Sequence, residues 1–256
     1  MRLFTTLALI ACLATTVLAG ESERILAGES ETMRVETSDG FVIQGEFWAP
    51  RKKGRAPAAL LLHDNLRDRS DHKSIAASLN KRGFAVLAID LRGHGKSVSE
   101  KIDFAKLNKE ERARTWPLAI RDIEASAKWL RERNDIHTSN LSIVAHGGAS
   151  ILAARYAERD KNVRCLGLIA PSTKDLARDL PKTLKKIAGL PCLLVSEKNG
   201  RENTVRLAEA SFKDGEIEDE IVEINVMRTA GVNLMRDKRL PSAISSFLHK
   251  HAIADD

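Results

Sequence analysis

Residues 141–157 combine a strand pattern, a turn of small residues and a helix pattern in immediate succession. An apolar run at 141–145 leads to His146, Gly147 and Gly148, and an alanine-rich segment follows directly. A sharp turn between a strand and a helix can present a catalytic nucleophile from a strained backbone position. Gly147 stands where such a nucleophile would be, and glycine has no side chain that could attack a substrate.

Two side chains close to this turn could still take part in chemistry. Ser150, three residues past Gly147, is the best substitute nucleophile, although we expect it to face the packed interior one helical turn further on. We expect His146 to pack away from the site and His63 to support a loop after an earlier strand. Four further histidines are expected to be solvated: His72, His137, His249 and His251.

Motif spacing argues against metal and cofactor chemistry. The chain has no cluster with the spacing of metal ligands, no glycine-rich dinucleotide motif after a strand, and no P-loop. We therefore predict neither a metal nor a cofactor.

An alternation of strand and helix patterns positions these residues. A hairpin at 31–48 turns at Asp39 and Gly40. Apolar runs typical of buried strands follow at 58–63, 84–90, 141–145, 163–170, 192–196 and 221–226, with helix patterns between most of them. This order predicts one α/β domain over residues 31–250, with a mostly parallel sheet and helices on both faces.

The connections differ in character. Residues 98–114 are polar and loosely patterned, which predicts a surface loop, and residues 171–189 predict a short helical insertion. Thr115 can cap the helix that begins directly after residues 98–114. One apolar face of that helix is formed by Trp116, Ile120, Ile123, Ala127 and Leu130.

With these elements in order, the chain resembles the α/β-hydrolase superfamily over about residues 31–250, most closely its dienelactone-hydrolase-like and small serine-hydrolase members. The order of elements carries most of the resemblance, together with Leu-Leu-Leu-His at 60–63, Gly-Phe-Ala-Val-Leu-Ala-Ile-Asp at 83–90 and Arg-Gly-His-Gly at 92–95. We assign the last motif no chemistry beyond fixing a turn. The resemblance implies an eight-stranded sheet whose second strand is antiparallel, without a large cap.

The resemblance also locates a catalytic triad, and all three of its positions are substituted. Gly147 replaces the serine, Asn199 stands in the frame of the acid with Glu197 a near miss, and Val232 takes the place of the histidine. Serine attack needs an imidazole to remove its proton and a carboxylate to orient that imidazole. Glycine, asparagine and valine perform none of these tasks.

The backbone of an oxyanion hole is the part of the site that could survive. The Gly148 N–H and an N–H near Asp64 or Asn65 could still form it. Members of the superfamily usually have glycine where this chain has Asp64, so a negative charge is expected beside the hole.

Charge and cysteine content restrict partners and compartment. The 41 Lys and Arg against 35 Asp and Glu give a net charge of +6, with one short basic cluster at 51–55. We interpret that cluster as a solvated loop, with nucleic-acid or anionic-surface binding the weaker alternative, and predict no nucleic-acid partner. An oxidising compartment would permit a bridge between Cys165 and Cys192, but we expect two buried thiols, because adjacent parallel strands rarely offer disulfide geometry.

The N-terminal segment predicts export. A charged start and an apolar run at 3–17 are typical of a signal peptide over residues 1–19, followed by a flexible leader at 20–30. We expect a periplasmic or secreted protein with no membrane segment after cleavage. A lipid anchor at Cys12 is the weaker alternative.

These observations leave three functional hypotheses. The preferred one is an exported, non-catalytic hydrolase-fold protein that binds a small molecule or a protein at the remnant pocket. The second is an active serine hydrolase, esterase-like or peptidase-like, whose nucleophile is displaced. The third is a scaffold whose pocket is filled. Because the insertion at 171–189 is short, we expect any pocket to be shallow and open, and better suited to a large partner than to enclosing a small molecule.

Overall fold

A computed structural model describes residues 30–212, 222–227 and 231–252, and for residues 231–233 the backbone only. The predicted signal peptide (1–19), Cys12 and the leader up to residue 29 lie outside the described residues. Residue 30, the last of the predicted leader, already belongs to the first strand.

Eight strands form one sheet in the order β1-β2-β4-β3-β5-β6-β7-β8. β2 runs antiparallel to both of its neighbours, and every other pairing is parallel. The architecture implied by the resemblance is therefore confirmed. The strands are β1 (Ser30–Glu36), β2 (Val42–Trp48), β3 (Ala56–Leu62), β4 (Ala85–Asp90), β5 (Ile136–His146), β6 (Val163–Ile169), β7 (Cys192–Glu197) and β8 (Val222–Met227).

Helices cover both faces of the sheet, as the strand–helix alternation predicts. Each face packs its own apolar core, because the central strands are apolar at consecutive positions and present side chains to both sides. The α-helices are α1 (Lys73–Lys81), α2 (Lys109–Thr115), α3 (Ile120–Arg131), α4 (Ser150–Arg159), α5 (Leu180–Lys185), α6 (Arg201–Phe212) and α7 (Leu240–Ala252). None of the helices in the described ranges is long and apolar enough to cross a bilayer.

The predicted apolar face of α3 packs on the core beside β5. Trp116 precedes the helix in a 3₁₀ turn (Trp116–Ala119) and is 2% exposed, and Ile123 is fully buried. Ala127 and Leu130 continue the same face at 0% and 1% exposure. These contacts fix the layer that lies next to the turn after β5.

The predicted surface loop at 98–114 is wrong in its last third, because α2 lies there. Asn108 caps this helix: its side chain accepts the Glu111 N–H, and the Glu111 carboxylate accepts the Asn108 N–H. This reciprocal capping stabilises a one-sided surface helix that has no buried residue. Thr115 accordingly ends α2 and caps nothing with its side chain.

Candidate functional site

The turn after β5 has the backbone conformation that a strained nucleophile position requires. The chain passes from His146 through a 3₁₀ turn (Gly147–Ala149) directly into α4. Gly147 has φ +56°, in the left-handed region. A non-glycine residue there costs of order 1–3 kcal/mol, so the turn has a backbone conformation that glycine adopts without this cost.

The carboxylate of Asp64 lies against this turn and occupies the predicted oxyanion hole. Its Oδ1 accepts the Gly148 N–H at 2.6 Å and the Asn65 N–H at 2.8 Å. These two N–H groups meet because β3 and β5 are neighbouring parallel strands whose carboxyl ends share one edge of the sheet. The structure thus brings Asp64, Asn65 and Gly148 together, and the aspartate lies inside the hole.

In its present position Asp64 also leaves no room for a side chain at Gly147, the predicted nucleophile position. A Cβ built on Gly147 would overlap the Asp64 carboxyl group, far inside van der Waals contact. Glycine at position 147 is therefore favoured twice, once by its positive φ and once by the space that the carboxylate fills.

His63 holds the loop that carries Asp64, as expected. The Leu91 N–H donates to His63 Nε2 at 2.9 Å, so Nδ1 carries the proton and donates to the Asp64 carbonyl oxygen at 2.8 Å. His94 contacts His63 with ring centroids 5.0 Å apart, and its Nε2 accepts the Leu66 N–H at 3.3 Å. Burial lowers the pKa of His63 to about 3, so the ring is a neutral structural group at pH 7.

A second histidine pair lies near the turn. His146 is largely buried, and burial lowers its pKa while the nearby Asp64 carboxylate acts in the opposite direction. His72, predicted to be solvated, is fully buried, and burial together with His146 lowers its pKa to about 4. It is enclosed because it stands where a 3₁₀ turn (Arg69–His72) joins α1.

The remaining histidines predicted to be solvated divide between exposed and partly buried positions. His249 is exposed, and His137 is partly buried. His251 is partly buried as well, and its ring contacts Phe247 with centroids 4.5 Å apart.

The other two predicted triad positions follow strands at the same edge of the sheet. Asn199 lies exposed in a 3₁₀ turn (Lys198–Gly200) directly after β7, with the near-miss Glu197 at the end of that strand. Val232 lies in the 3₁₀ turn (Gly231–Arg236) after β8, and its side chain is outside the description. The topology places these turns at the same sheet edge as Gly147, but an amide and a valine supply neither the carboxylate nor the base.

Ser150, the substitute nucleophile, begins α4 and is fully buried. Among the described residues its Oγ has no hydrogen-bond partner. It therefore has neither solvent access nor a base beside it in this conformation.

The Arg-Gly-His-Gly segment at 92–95 fixes neighbouring turns. The buried Arg92 guanidinium pairs with Asp122 at 2.7 Å and with Asp39 at 2.8 Å, which ties α3 to the β1–β2 turn. A side chain at Gly95 would overlap the Asp90 carboxylate, which accepts the Lys96 N–H at 2.7 Å. These are positioning contacts, in agreement with the turn-fixing role expected for the motif.

A surface depression of about 580 Å³ opens beside the Asp64 loop. Asn65, one face of α2 and the first part of the insertion line it. The helical part of the insertion consists of a 3₁₀ turn (Asp175–Ala177), which lines the depression, and the six-residue α5.

The described part of the chain contains no grouping of three or more His, Cys, Asp or Glu residues that could hold a metal ion. Cys165 and Cys192 are free buried thiols, and burial raises the pKa of Cys165 to about 12.

Comparison with known proteins identifies the family. Residues 64–230, about two thirds of the chain, match the family described as serine aminopeptidase, S33. The chain belongs to this family. Its S33 segment begins at Asp64 and includes the turn at Gly147 and the insertion.

Curated relatives match only part of the chain. Two curated sequences from strains of Mycobacterium tuberculosis, both described as uncharacterized, are 30% identical to this S33 member over 120 residues. That match covers 47% of this chain and only 37% of each relative.

Solved hydrolases share the fold. The Pyrococcus furiosus esterase Pf2001 has a TM-score of 0.64 at 16% identity, over 89% of this chain and 95% of that one. Dienelactone hydrolase from Anabaena variabilis has a TM-score of 0.68 at 16% identity, over 88% of this chain and 99% of that one. At such identity the likeness concerns the fold alone.

Proposed function

We propose that this S33 member is an exported protein without hydrolase activity, which binds a ligand or a protein at the surface around its remnant oxyanion loop. The observation that carries the proposal is the Asp64 carboxylate, whose Oδ1 accepts the N–H groups of both Gly148 and Asn65. An oxyanion hole accelerates acyl transfer by leaving its donors free for the charge that develops in the transition state. In this protein the Asp64 carboxylate already accepts hydrogen bonds from those donors, and its negative charge repels the negative charge of a transition state.

The missing triad adds a second barrier. In measurements on serine proteases, loss of the full triad lowers the rate by about 10⁶, or roughly 8 kcal/mol of activation free energy. Gly147 and Asn199 lack the nucleophile and the acid, and the filled hole removes the contribution that normally survives such losses. Both observations favour binding over catalysis.

The wild-type chain should form no adduct with a fluorophosphonate, as measured by intact mass, and should not hydrolyse a nitrophenyl ester above background. The opposing hypothesis is an active serine hydrolase with a displaced nucleophile. Turnover or labelling that Ser150→Ala abolishes would establish that hypothesis and overturn ours. Ser126→Ala is the matched control, because Ser126 is also a fully buried serine whose Oγ has no partner among the described residues.

Restoring the site tests which substitutions matter. Gly147→Ser, Asn199→Asp and Val232→His together supply nucleophile, acid and base, but the new serine would meet the Asp64 carboxyl group. We expect esterase activity only when Asp64→Gly is added, with a non-additive gain. Circular dichroism and thermal melting establish that each variant is folded. Equal activity with and without Asp64→Gly would contradict the role given to the carboxylate.

Export is the second part of the proposal, supported by the apolar run at 3–17. The mature chain should begin at Gly20, as read by N-terminal sequencing of protein from the producing cell. A chain that begins at Met1 would contradict export. Acylation at Cys12 would replace this cleavage with a lipid anchor.

A further inference from the structure

The depression beside the Asp64 loop has an unbalanced charge. Three basic residues line it, Lys109 and Arg112 from α2 and Arg178 from the insertion, against one acid, Asp175. None of the four makes an ion pair with any residue in the described ranges. Cations gathered without counter-charges raise the local positive potential and attract anions.

Arg112 is held in place before any ligand arrives. Its Nε and Nη2 donate to the carbonyl oxygens of Phe104 and Ala105 at 3.1 and 2.9 Å, and its guanidinium stacks on the Phe104 ring at 5.6 Å. Within the described part of the chain Nη1 makes no hydrogen bond. A preorganised guanidinium with free N–H capacity suits an oxyanion, because less side-chain freedom is lost on binding.

The lining also has an apolar part. Ala113 and Leu176 face the same space from the two walls, and Asn65 contributes an amide from the oxyanion loop. The volume, about 580 Å³, lies within the range of small-molecule sites. An occupant would therefore combine an anionic group with a short apolar portion.

We propose that this depression binds a small amphiphilic oxyanion, a carboxylate or a phosphate ester with a short alkyl or aryl part. Lys109, Arg112 and Arg178 bind the anionic group, and Leu176 contacts the apolar part. The inference rests on the proposed function, since it names the ligand class for a binding surface at the remnant site. The bound anion lies next to Asn65, whose backbone N–H donates to Asp64 Oδ1. A ligand in the depression therefore contacts the loop that carries Asp64.

Calorimetric titration with hexanoate, hexyl phosphate and neutral hexanol tests the site. One or both anions should bind saturably and more weakly as salt is added, and hexanol should not bind. The ratio of the two anion affinities distinguishes a carboxylate ligand from a phosphate ligand. Absence of saturable binding by both anions, or equal binding of hexanol, would overturn the proposal.

A matched pair of double variants locates the binding. Lys109→Gln with Arg178→Gln removes two exposed lining cations and should weaken anion binding at least tenfold. Arg114→Gln with Lys174→Gln removes the same charges from exposed positions of the same two segments outside the lining, and should change the affinity less than twofold. Equal losses in the two pairs would show a non-specific charge effect and contradict the site.

These experiments test the anion-binding proposal and the non-catalytic proposal independently. An inert protein that binds neither anion would remove this site and leave the absence of catalysis untouched. Ester turnover alongside specific anion binding would remove the non-catalytic proposal and leave this site standing.

Discussion

At the scale of single residues, Asp64 and Gly147 form one unit. The carboxylate holds the donors of the oxyanion hole, and it does so only because position 147 has no Cβ. The sequence predicts a charge near the hole, but the approach of two loops 84 residues apart determines where that carboxylate lies. Spacing along the chain does not contain that information.

A double-mutant cycle measures this dependence. Gly147→Ala should destabilise the protein by about 1–3 kcal/mol from its positive φ. It should cost roughly 1–3 kcal/mol more because Asp64 must leave its two N–H donors. In an Asp64→Gly background the second part should vanish. Urea unfolding of the four proteins gives the coupling free energy, and equal costs in the two backgrounds would contradict the contact.

At the scale of elements, helix α3 and the Trp116 ring just before it pack beside the turn at Gly147 and Gly148. The four- and three-residue spacing of apolar residues predicts its buried face, because residues at that spacing lie on one side of an α-helix. Helix α2 was missed although its Asn-x-x-Glu cap is readable at 108–111, since the helix buries nothing and has no apolar period. His72 was misassigned for a related reason: a single polar residue carries no periodicity that reports burial.

Ile123→Asp tests the orientation of α3. An unpaired charge in the core should lower the free energy of unfolding by several kcal/mol. Lys128→Asp on the exposed face of the same helix is the control and should cost about 1 kcal/mol or less. Similar melting temperatures for the two variants would mean that the helix face is misassigned.

At the scale of the whole molecule, a parallel sheet with helices on both faces was predictable because alternation of strands and helices admits few right-handed arrangements. The eight strands and the antiparallel second strand came from the family resemblance. The buried histidines give this fold a pH dependence that the sequence did not reveal. Burial lowers the pKa of His63 to about 3 and that of His72 to about 4. In the unfolded chain both titrate near 6.5.

Between pH 6.5 and about 4 the unfolded chain binds more protons than the folded one, so stability should fall as the pH falls. Each of these two histidines should contribute a loss of about 2 kcal/mol by pH 5. Urea unfolding at pH 7.5 and 5 measures the difference. His72→Gln should reduce it and the exposed His249→Gln should not; a flat profile would contradict the neutral buried rings.

The occupied oxyanion hole is the central claim, and an NMR comparison of the wild-type chain with Asp64→Asn at pH 7 tests it most directly. The amide protons of Gly148 and Asn65 both donate to Asp64 Oδ1. Both resonances should move upfield in the variant, because a neutral amide oxygen is a weaker hydrogen-bond acceptor than a carboxylate. Amide protons of Gly148 and Asn65 with the same shifts in the two proteins would contradict the claim.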